Sequence, residues 1–176
     1  MLFVIKMEKK LQIPDNVRIN MNSHTLNIVG PKGTNIRKIG FPNLSLSLSN
    51  NEILLYTKKN SRNEKRLIET ISSHIRNMIY GTINGYTAKL KVCSGHFPIK
   101  VTIENKKVVI SNFLGEKIPR KADIIDGVSA KIENDIIIVE GIDKEKTMQT
   151  AANIERATRI TNRDRRIFQD GCYIIK

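Results

Sequence analysis

The sequence repeats itself, and this duplication restricts the chain to folds in which one small unit is built twice. The run Val17–Ile19 is matched by Val101–Ile103, 84 residues later, and Asn51–Leu55 is matched by Asn134–Ile138, 83 residues later. Self-similarity at a nearly constant offset is the sequence signature of a repeated structural unit. A length of 176 residues accommodates two small domains of this kind.

Alternating apolar residues predict strands in both halves. The alternating positions are Val17, Ile19 and Met21, then Leu44, Leu46 and Leu48, and in the second half Val101 and Ile103. A period of two is typical of strands that bury one face and leave the other in water. Each half should therefore contain an antiparallel-rich sheet.

A stretch with helical spacing follows the strands of each half. In the first half the apolar positions are Leu67, Ile68, Ile71, Ile75, Met78 and Ile79, and in the second half they are Met148, Ala151, Ala152, Ile154 and Ala157. A period near 3.6 predicts an amphipathic helix, and Gly81 is placed to end the first one.

These patterns predict the α+β class, as two tandem similar domains, each a sheet with one helix packed on it. Glycine and proline interrupt the patterns at Gly85, Gly95 and Pro98. We accordingly assign residues 1–84 to an N-terminal domain and residues 85–176 to a C-terminal domain with a basic end.

The charge of the chain indicates a polyanionic partner. The formal net charge is +13; residues 1–92 carry 15 basic and 5 acidic side chains, and residues 93–176 carry 15 and 12. The arginines of the second half cluster near its end: Arg156, Arg159, Arg163, Arg165 and Arg166. Guanidinium groups bind phosphate bidentately, although a solvated helix face gives the same pattern. Nucleic acid is the first partner to expect.

Motifs for catalysis and cofactor binding do not appear in the sequence. Cys93 and His96 resemble half of a zinc site, but the only other cysteine is Cys172, so we expect no metal and two reduced thiols. The Gly30–Thr34 run fails the phosphate-loop pattern because its lysine precedes the last glycine, so a strand-connecting turn with an exposed lysine is expected. We predict no enzymatic activity, no cofactor and no small-molecule substrate.

Apolar runs are too short for membrane insertion or export. The longest, such as Leu2–Ile5 and Ile136–Val139, have four or five residues, whereas a spanning helix needs roughly 20 and a signal peptide core about 7–15. We therefore expect a cytoplasmic protein with no membrane partner. Aromatic residues make up only 5% of the chain, without tryptophan, which argues against readers that stack single-stranded bases.

Five runs of the sequence agree in order and spacing with a known protein family: Gly30–Thr34, His74–Gly81, His96–Ile99, Asn112–Lys117 and Arg165–Tyr173. They resemble the universal large-subunit ribosomal protein L-six family, in its eukaryotic L-nine form. They lie within about residues 11–175, nearly the whole chain. The resemblance implies a duplicated α+β protein that is not an enzyme. It also implies binding to large-subunit ribosomal RNA near the base of the factor-binding stalk and the sarcin–ricin loop, beside neighbouring ribosomal proteins.

The resemblance also implies which residues contact RNA. Arg163, Arg165 and Arg166 would meet phosphates, while Gly171 and Tyr173 would shape the final strand or turn. The further candidates are Arg120 and Lys121 in the second half, and Lys32, Arg37 and Lys38, which match a basic loop of the first domain. Solvated charge is the alternative interpretation of that loop.

The chain departs from the family pattern in three places. The family usually continues beyond the position of Lys176 with a basic tail, and the stretch 58–63 lacks the tryptophan of eukaryotic members. The run Met1–Lys6 has no clear counterpart, and Met7 is a possible alternative start. Two other hypotheses stay open at this point: an RNA-processing enzyme or its accessory subunit, and a free duplex-RNA-binding module.

Overall fold

The structure is a computed structural model that describes residues 7–22, 24–40, 44–49, 51–57, 59, 61–164 and 166–175. The chain divides into two compact units, the first ending at Gly85 and the second beginning at Tyr86. Each unit contains antiparallel strands and one long helix, which confirms the predicted α+β class. No helix among the described residues is long and apolar enough to span a lipid bilayer.

The first unit contains two three-stranded antiparallel sheets and one helix. Its elements are β1 (Met7–Gln12), β2 (Arg18–Asn22), β3 (Thr25–Gly30), β4 (Gly33–Lys38), β5 (Leu44–Leu48), β6 (Glu52–Thr57) and α1 (Arg62–Asn84). The strand orders are β1-β6-β5 and β2-β3-β4. Helix α1 contacts strands of both sheets, so the core of the unit lies between the sheets and the helix.

The second unit repeats this arrangement and adds one strand. Its elements are β7 (Tyr86–Cys93), β8 (Lys100–Glu104), β9 (Lys107–Ser111), β10 (Arg120–Asp123), β11 (Val128–Glu133), β12 (Ile136–Gly141), α2 (Lys144–Ala157) and β13 (Gly171–Ile175). The strand orders are β10-β9-β8 and β11-β12-β7-β13. The added strand β13 pairs with β7, with Cys172 opposite Val92 and Tyr173 opposite Lys91. This pairing fixes the end of the chain against the start of the unit.

The apolar stripe predicted for the first helix is the buried face of α1. Ile68, Ile71, Ile75, Met78 and Ile79 are buried, and Leu67 packs against the same core. The helix begins with a capping box, in which Ser61 N–H donates to Glu64 and Glu64 N–H donates to the Ser61 hydroxyl oxygen. Two backbone donors that the helix leaves unpaired are satisfied in this way.

The end predicted for this helix was wrong. The helix passes through Gly81 and continues to Asn84, and Gly85 is the residue that ends it. Gly85 has φ 73°, the left-handed region that glycine adopts without strain, and its N–H donates to Gly81 O at 2.9 Å. Gly81 itself is buried within the helix.

The buried face of α2 also differs from the prediction. Met148 is 38% exposed, and the buried positions are Thr147, Thr150, Ala151 and Ile154. The Thr147 hydroxyl donates to Asp143 O and the Thr150 hydroxyl donates to Lys146 O, both at 2.8 Å. Because a hydroxyl bonded to its own helix carries no unmet polar group, threonine can present its methyl group to the core.

The turn between β3 and β4 is a strand-connecting turn, as predicted, and it packs against the end of α1. Gly30 pairs with Gly33 across the hairpin. The Lys32 N–H donates to Thr82 O at 2.9 Å, and the Lys32 ammonium donates to Asn84 O. These carbonyls lie in the last turn of the helix, where no helical N–H is available to them.

We predict that Gly30→Ala destabilises the first unit by about 1–3 kcal/mol. A Cβ at position 30 would lie 2.8 Å from both Cβ and the carbonyl oxygen of Thr82, so the hairpin would have to move away from α1. Urea unfolding of the full chain measures the effect. Gly40→Ala is the matched control, because the nearest atom to its Cβ is in His24 at 3.6 Å. Equal unfolding midpoints for the two variants would contradict the prediction.

Candidate nucleic-acid interface

The predicted phosphate-binding arginines lie in the segment 158–170 that joins α2 to β13. Arg163 and Arg166 are exposed, and Arg165 lies outside the described residues. The Arg163 guanidinium carbon lies 4.8 Å from the centroid of the Phe168 ring. Because a cation over an aromatic face is attracted to it, the segment itself restricts where this guanidinium can point.

A buried carboxylate fastens this segment to the start of the second unit. Asp170 is 1% exposed, and its Oδ1 accepts from Gly95 N–H at 2.6 Å and from His96 N–H at 3.0 Å. Its Oδ2 lies 2.6 Å from His96 Nδ1. The His96 ring stacks on Phe168, with centroids 4.6 Å apart. We call this set of five residues the Asp170 anchor: Gly95, His96, Arg163, Phe168 and Asp170.

The Asp170 anchor keeps its carboxyl group ionised at neutral pH. Burial alone would raise the pKa of Asp170, but hydrogen bonds from the backbone and side chain of His96 and from the Gly95 N–H outweigh it. The resulting pKa lies below the ordinary range for aspartate. Because ionised Asp170 can only accept, the contact at Oδ2 requires a proton on His96 Nδ1.

Arg120 uses its guanidinium to hold the protein together at the other end of the segment. It donates to both carboxylate oxygens of Glu116, at 2.8 and 2.6 Å, and to the carbonyl oxygens of Ala157 and Arg159, at 3.0 and 3.1 Å. Its guanidinium carbon also lies 4.2 Å from the centroid of the buried Phe113 ring. Arg120 therefore links the loop before β10 to the end of α2.

Two of the predicted arginines act on the carboxylate of Glu116. The hydrogen bond from Arg120 holds the pKa of Glu116 below its usual range, and the charge of Arg163 lowers it further. Arg120 and Arg163 therefore act on one acidic group. Lys121, the next residue on β10, is exposed.

Gly171 and Tyr173 shape the start of β13, where the segment enters the sheet. Gly171 has φ 151°, and a Cβ there would lie 3.3 Å from Thr158 Oγ1 and from the Tyr173 ring. Thr158 Oγ1 accepts from Cys172 N–H at 2.9 Å, and the Tyr173 hydroxyl donates to Asp170 O at 3.3 Å. Both ends of the segment are thus held by contacts that a larger residue at position 171 would disturb.

Tyr173 also lines two surface depressions beside the segment. One, of about 310 Å³, is lined by Glu155, Arg156, Thr158, Arg159, Ile160 and Tyr173. The other, of about 770 Å³, includes Lys91, His96, Gln169 and Asp170 in its lining. Exposed Arg156 and Arg159 therefore lie next to the anchored segment and extend its basic surface.

The three candidates of the first unit do not form one loop. Lys32 lies at the β3–β4 turn, whereas Arg37 and Lys38 lie at the other end of β4. At a rise of about 3.3 Å per residue, six residues of strand separate Lys32 from Lys38 by roughly 20 Å. Lys32 and Lys38 are exposed, and Arg37 is half-buried.

The sequence interpretation missed the acidic and aromatic members of this site. Glu116, Phe168 and Asp170 were not candidates, and His96 was considered only as a metal ligand. The available signal was position: His96 and Asp170 both lie in runs that carry the family resemblance, and Asp170 is one of two acids among the residues 156–176. An isolated acid within a basic segment can mark a structural ion pair.

The described residues offer no metal site. Among the residues that the structure describes, no group of three His, Cys, Asp or Glu side chains could hold an ion. Cys93 and Cys172 are free thiols, and burial raises the pKa of Cys172 to about 11, so this thiol stays protonated at neutral pH.

Comparison with known proteins identifies the family. A family model described as Ribosomal protein L6 matches residues 13–85 and matches again over residues 97–171. The two matches begin 84 residues apart, which is the offset of the internal repeat. The chain belongs to the ribosomal protein L6 family. The resemblance drawn from the sequence runs is therefore confirmed.

Relatives in the ribosomal protein L6 family are similar over nearly the whole chain. The chain is 39% identical over 168 residues to the large ribosomal subunit protein uL6 of Methanothrix thermoacetophila, covering 96% of each protein. It is 42% identical over 174 residues to uL6 of Desulfurococcus amylolyticus, covering 97% of this chain and 95% of the relative. It is 39% identical to uL6 of Archaeoglobus fulgidus, with 96% and 89% coverage. The similarity to these L6 proteins therefore extends over both units of the chain.

Proposed function

We propose that this chain is a structural protein of the large ribosomal subunit that binds large-subunit ribosomal RNA. The observation that carries the proposal is the match of both units to the ribosomal protein L6 family, with relatives named large ribosomal subunit protein over nearly their full length. The net charge of +13 suits an RNA partner. The protein acts in the cytoplasm on the ribosome, near the factor-binding and sarcin–ricin region, beside neighbouring ribosomal proteins and without enzymatic activity.

The Asp170 anchor supports a specific role for the C-terminal segment in this function. Arg163 and its neighbours Arg165 and Arg166 contact phosphates, and the anchor keeps the segment in place for that contact. Arg166 pairs with Asp164 at 2.8 Å, but its side chain is 90% exposed. Because exposed ion pairs contribute little to stability, a phosphate can replace the carboxylate on the Arg166 guanidinium while Asp164 Oδ1 still accepts from Arg166 N–H.

The remaining candidates take secondary roles in the proposal. Gly171 and Tyr173 shape the entry into β13, and Arg120 positions the segment through Glu116 and the end of α2. Four exposed or half-buried cations add contacts away from the segment: Lys121 in the second unit, and Lys32, Arg37 and Lys38 in the first.

Fractionation of native cell extract tests the assignment directly. The protein is expected in the large-subunit peak at moderate salt and in decreasing amounts at high salt, since counterion release weakens phosphate contacts. Absence from that peak at moderate salt would overturn the proposal. Purified protein at stoichiometric amounts is also expected to show no turnover on structured RNA with divalent metal, and turnover would favour the RNA-processing enzyme instead.

We predict that Arg165→Ala together with Arg166→Ala weakens binding to protein-free large-subunit ribosomal RNA. The logarithm of the affinity falls linearly with the logarithm of the salt concentration, and the magnitude of this slope should decrease by about one to two. Lys107→Ala together with Lys131→Ala is the control, because these exposed lysines each face an acid, Asp123 or Glu140. A slope unchanged from the wild type in the arginine variant would show that these arginines are solvated.

A further inference from the structure

The outer side of helix α1 carries a second concentration of positive charge, in the other unit of the chain. We propose that the basic α1 face, which we define as Arg62, Lys65, Arg66 and Arg76, binds the phosphate backbone of RNA. The inference rests on the proposed function and deepens it. It adds an RNA contact that is separate from the arginine segment, residues 158–170, and from the β3–β4 hairpin.

Helical geometry places these cations on the side of α1 that the core does not use. Arg62, Arg66 and Arg76 are exposed, whereas Ile68 and Ile75 are buried. Positions 62, 65, 66, 69, 73 and 76 are linked by steps of three and four residues, so they share one side of the helix. The long side chains can therefore reach a single extended partner.

The acidic residues of α1 do not cancel this charge. Glu64 is buried and bonded to Ser61 in the capping box. Glu69 accepts from the ammonium of Lys9 on β1, and this hydrogen bond is the main reason that the pKa of Glu69 is lowered. The charges of Arg76 and Lys65 also lower this pKa, but Lys9 already balances Glu69, so the helix surface keeps a net positive charge.

The cations of the basic α1 face are available to a partner. Within the described part of the chain, the side chains of Arg62, Lys65, Arg66 and Arg76 form no ion pair. Three of them surround a surface depression of about 420 Å³ together with Glu69 and Thr70. Its lining of three cations suits a phosphate group.

The chemistry of the face favours RNA over an acidic protein. Protein interfaces are depleted of charge at their centre and enriched in apolar and aromatic residues. The basic α1 face has the opposite composition, and Tyr80, at 52% exposure, is the one large apolar residue exposed on the described helix. Arginine and lysine side chains supply most contacts to nucleic acid backbones, and contact of this type requires no base readout.

Charge removal on α1 tests the inference in the full-length protein. Arg62→Gln together with Arg66→Gln removes two positive charges while keeping good helix formers. Binding to protein-free large-subunit ribosomal RNA is expected to weaken about tenfold at moderate salt, and the salt slope to decrease in magnitude by about one to two. The far-ultraviolet circular dichroism and the urea unfolding midpoint should match the wild type, because both side chains are exposed.

A second double variant separates local contact from net charge. Lys107→Gln together with Lys131→Gln removes the same number of charges from strands β9 and β11, where each lysine faces an acid. This control should bind RNA within about twofold of the wild type. If the arginine variant binds like the control, the basic α1 face does not contact RNA.

Two outcomes distinguish this inference from the function on which it rests. If the arginine variant keeps full RNA affinity but is depleted from large subunits, the face binds an acidic protein neighbour and the RNA inference is overturned. If the wild type binds RNA and cosediments with large subunits while the arginine variant does so equally, only the α1 inference fails. A wild type absent from large subunits would instead contradict the proposed function.

Discussion

Asp170→Ala is expected to lower the free energy of unfolding of the second unit by about 3 kcal/mol. The change removes the acceptor for Gly95 N–H and His96 N–H and leaves His96 Nδ1 without its partner. Because the Asp170 side chain is almost fully buried, its removal also leaves a gap beside these donors. Urea unfolding measures the free energy. Amide hydrogen exchange at Gly95 and His96 reports the local loss.

Two companion variants make this result specific. Asp170→Asn keeps one oxygen acceptor and should fall between the wild type and Asp170→Ala. Asp164→Ala removes an exposed acid of the same segment, whose partner is Arg166, and should leave unfolding nearly unchanged. RNA affinity should fall in Asp170→Ala because the segment is no longer held in place. A wild-type free energy of unfolding in Asp170→Ala would show that the anchor contributes nothing.

The free energy of unfolding measured at acidic pH gives an independent check on Asp170. Its pKa in the folded protein lies below the ordinary value, so the unfolded state binds a proton more readily. The stabilisation is fully present above the unfolded pKa, about 3.9, and is lost as the pH falls through the lower folded pKa. Asp170→Asn should therefore flatten the loss of stability in this range and leave the slope in the neutral range as it is in the wild type.

Arg120→Ala is expected to destabilise the second unit by about 2–3 kcal/mol. It removes the paired hydrogen bonds to Glu116, the donors to Ala157 O and Arg159 O, and the contact with the Phe113 ring. Arg120→Lys should recover little, because an ammonium cannot form the same planar fork. Urea unfolding of the full chain provides the measurement.

Lys121→Ala is the matched control for Arg120, since Lys121 is its exposed neighbour on the same strand. We expect its unfolding midpoint to equal that of the wild type. If Arg120→Ala also unfolds like the wild type but binds RNA with a salt slope smaller in magnitude by about one, then Arg120 contacts a phosphate directly. That outcome would replace the positioning role with the contact that the sequence predicted.

The fold was predictable because its signals are local. A period of two along Arg18–Asn22 and a period of 3.6 along α1 match the observed burial, and the repeat indicated the number of units. The buried face of α2 was not predictable in this way, because Thr147 and Thr150 look polar until their hydroxyls are seen bonded to their own helix. Gly81 and Gly85 are both glycine, and only the positive φ of Gly85 shows which one ends α1.

The positive charge of the candidate site was predictable from the sequence, and the contacts that hold the site in place were not. Clustering of arginines near residue 160 is visible in the sequence, so the segment could be proposed from composition. The contact between His96 and Asp170 spans 74 residues and depends on the pairing of β7 with β13. Local patterns carry no information on such a pairing, and for the same reason Arg120 was expected only as a candidate for RNA contact.

The pairing of β13 with β7 has a consequence for how the protein is made. The second unit begins with β7, but the strand that covers its edge is synthesised only after β8 to β12 and α2. Closing so long a loop is entropically slow, and until it closes, the arginine segment is fixed at only one end. Once β13 has paired with β7, both ends of the segment are held, so that part of the entropy of ordering it is lost on folding and is not subtracted from the affinity for RNA.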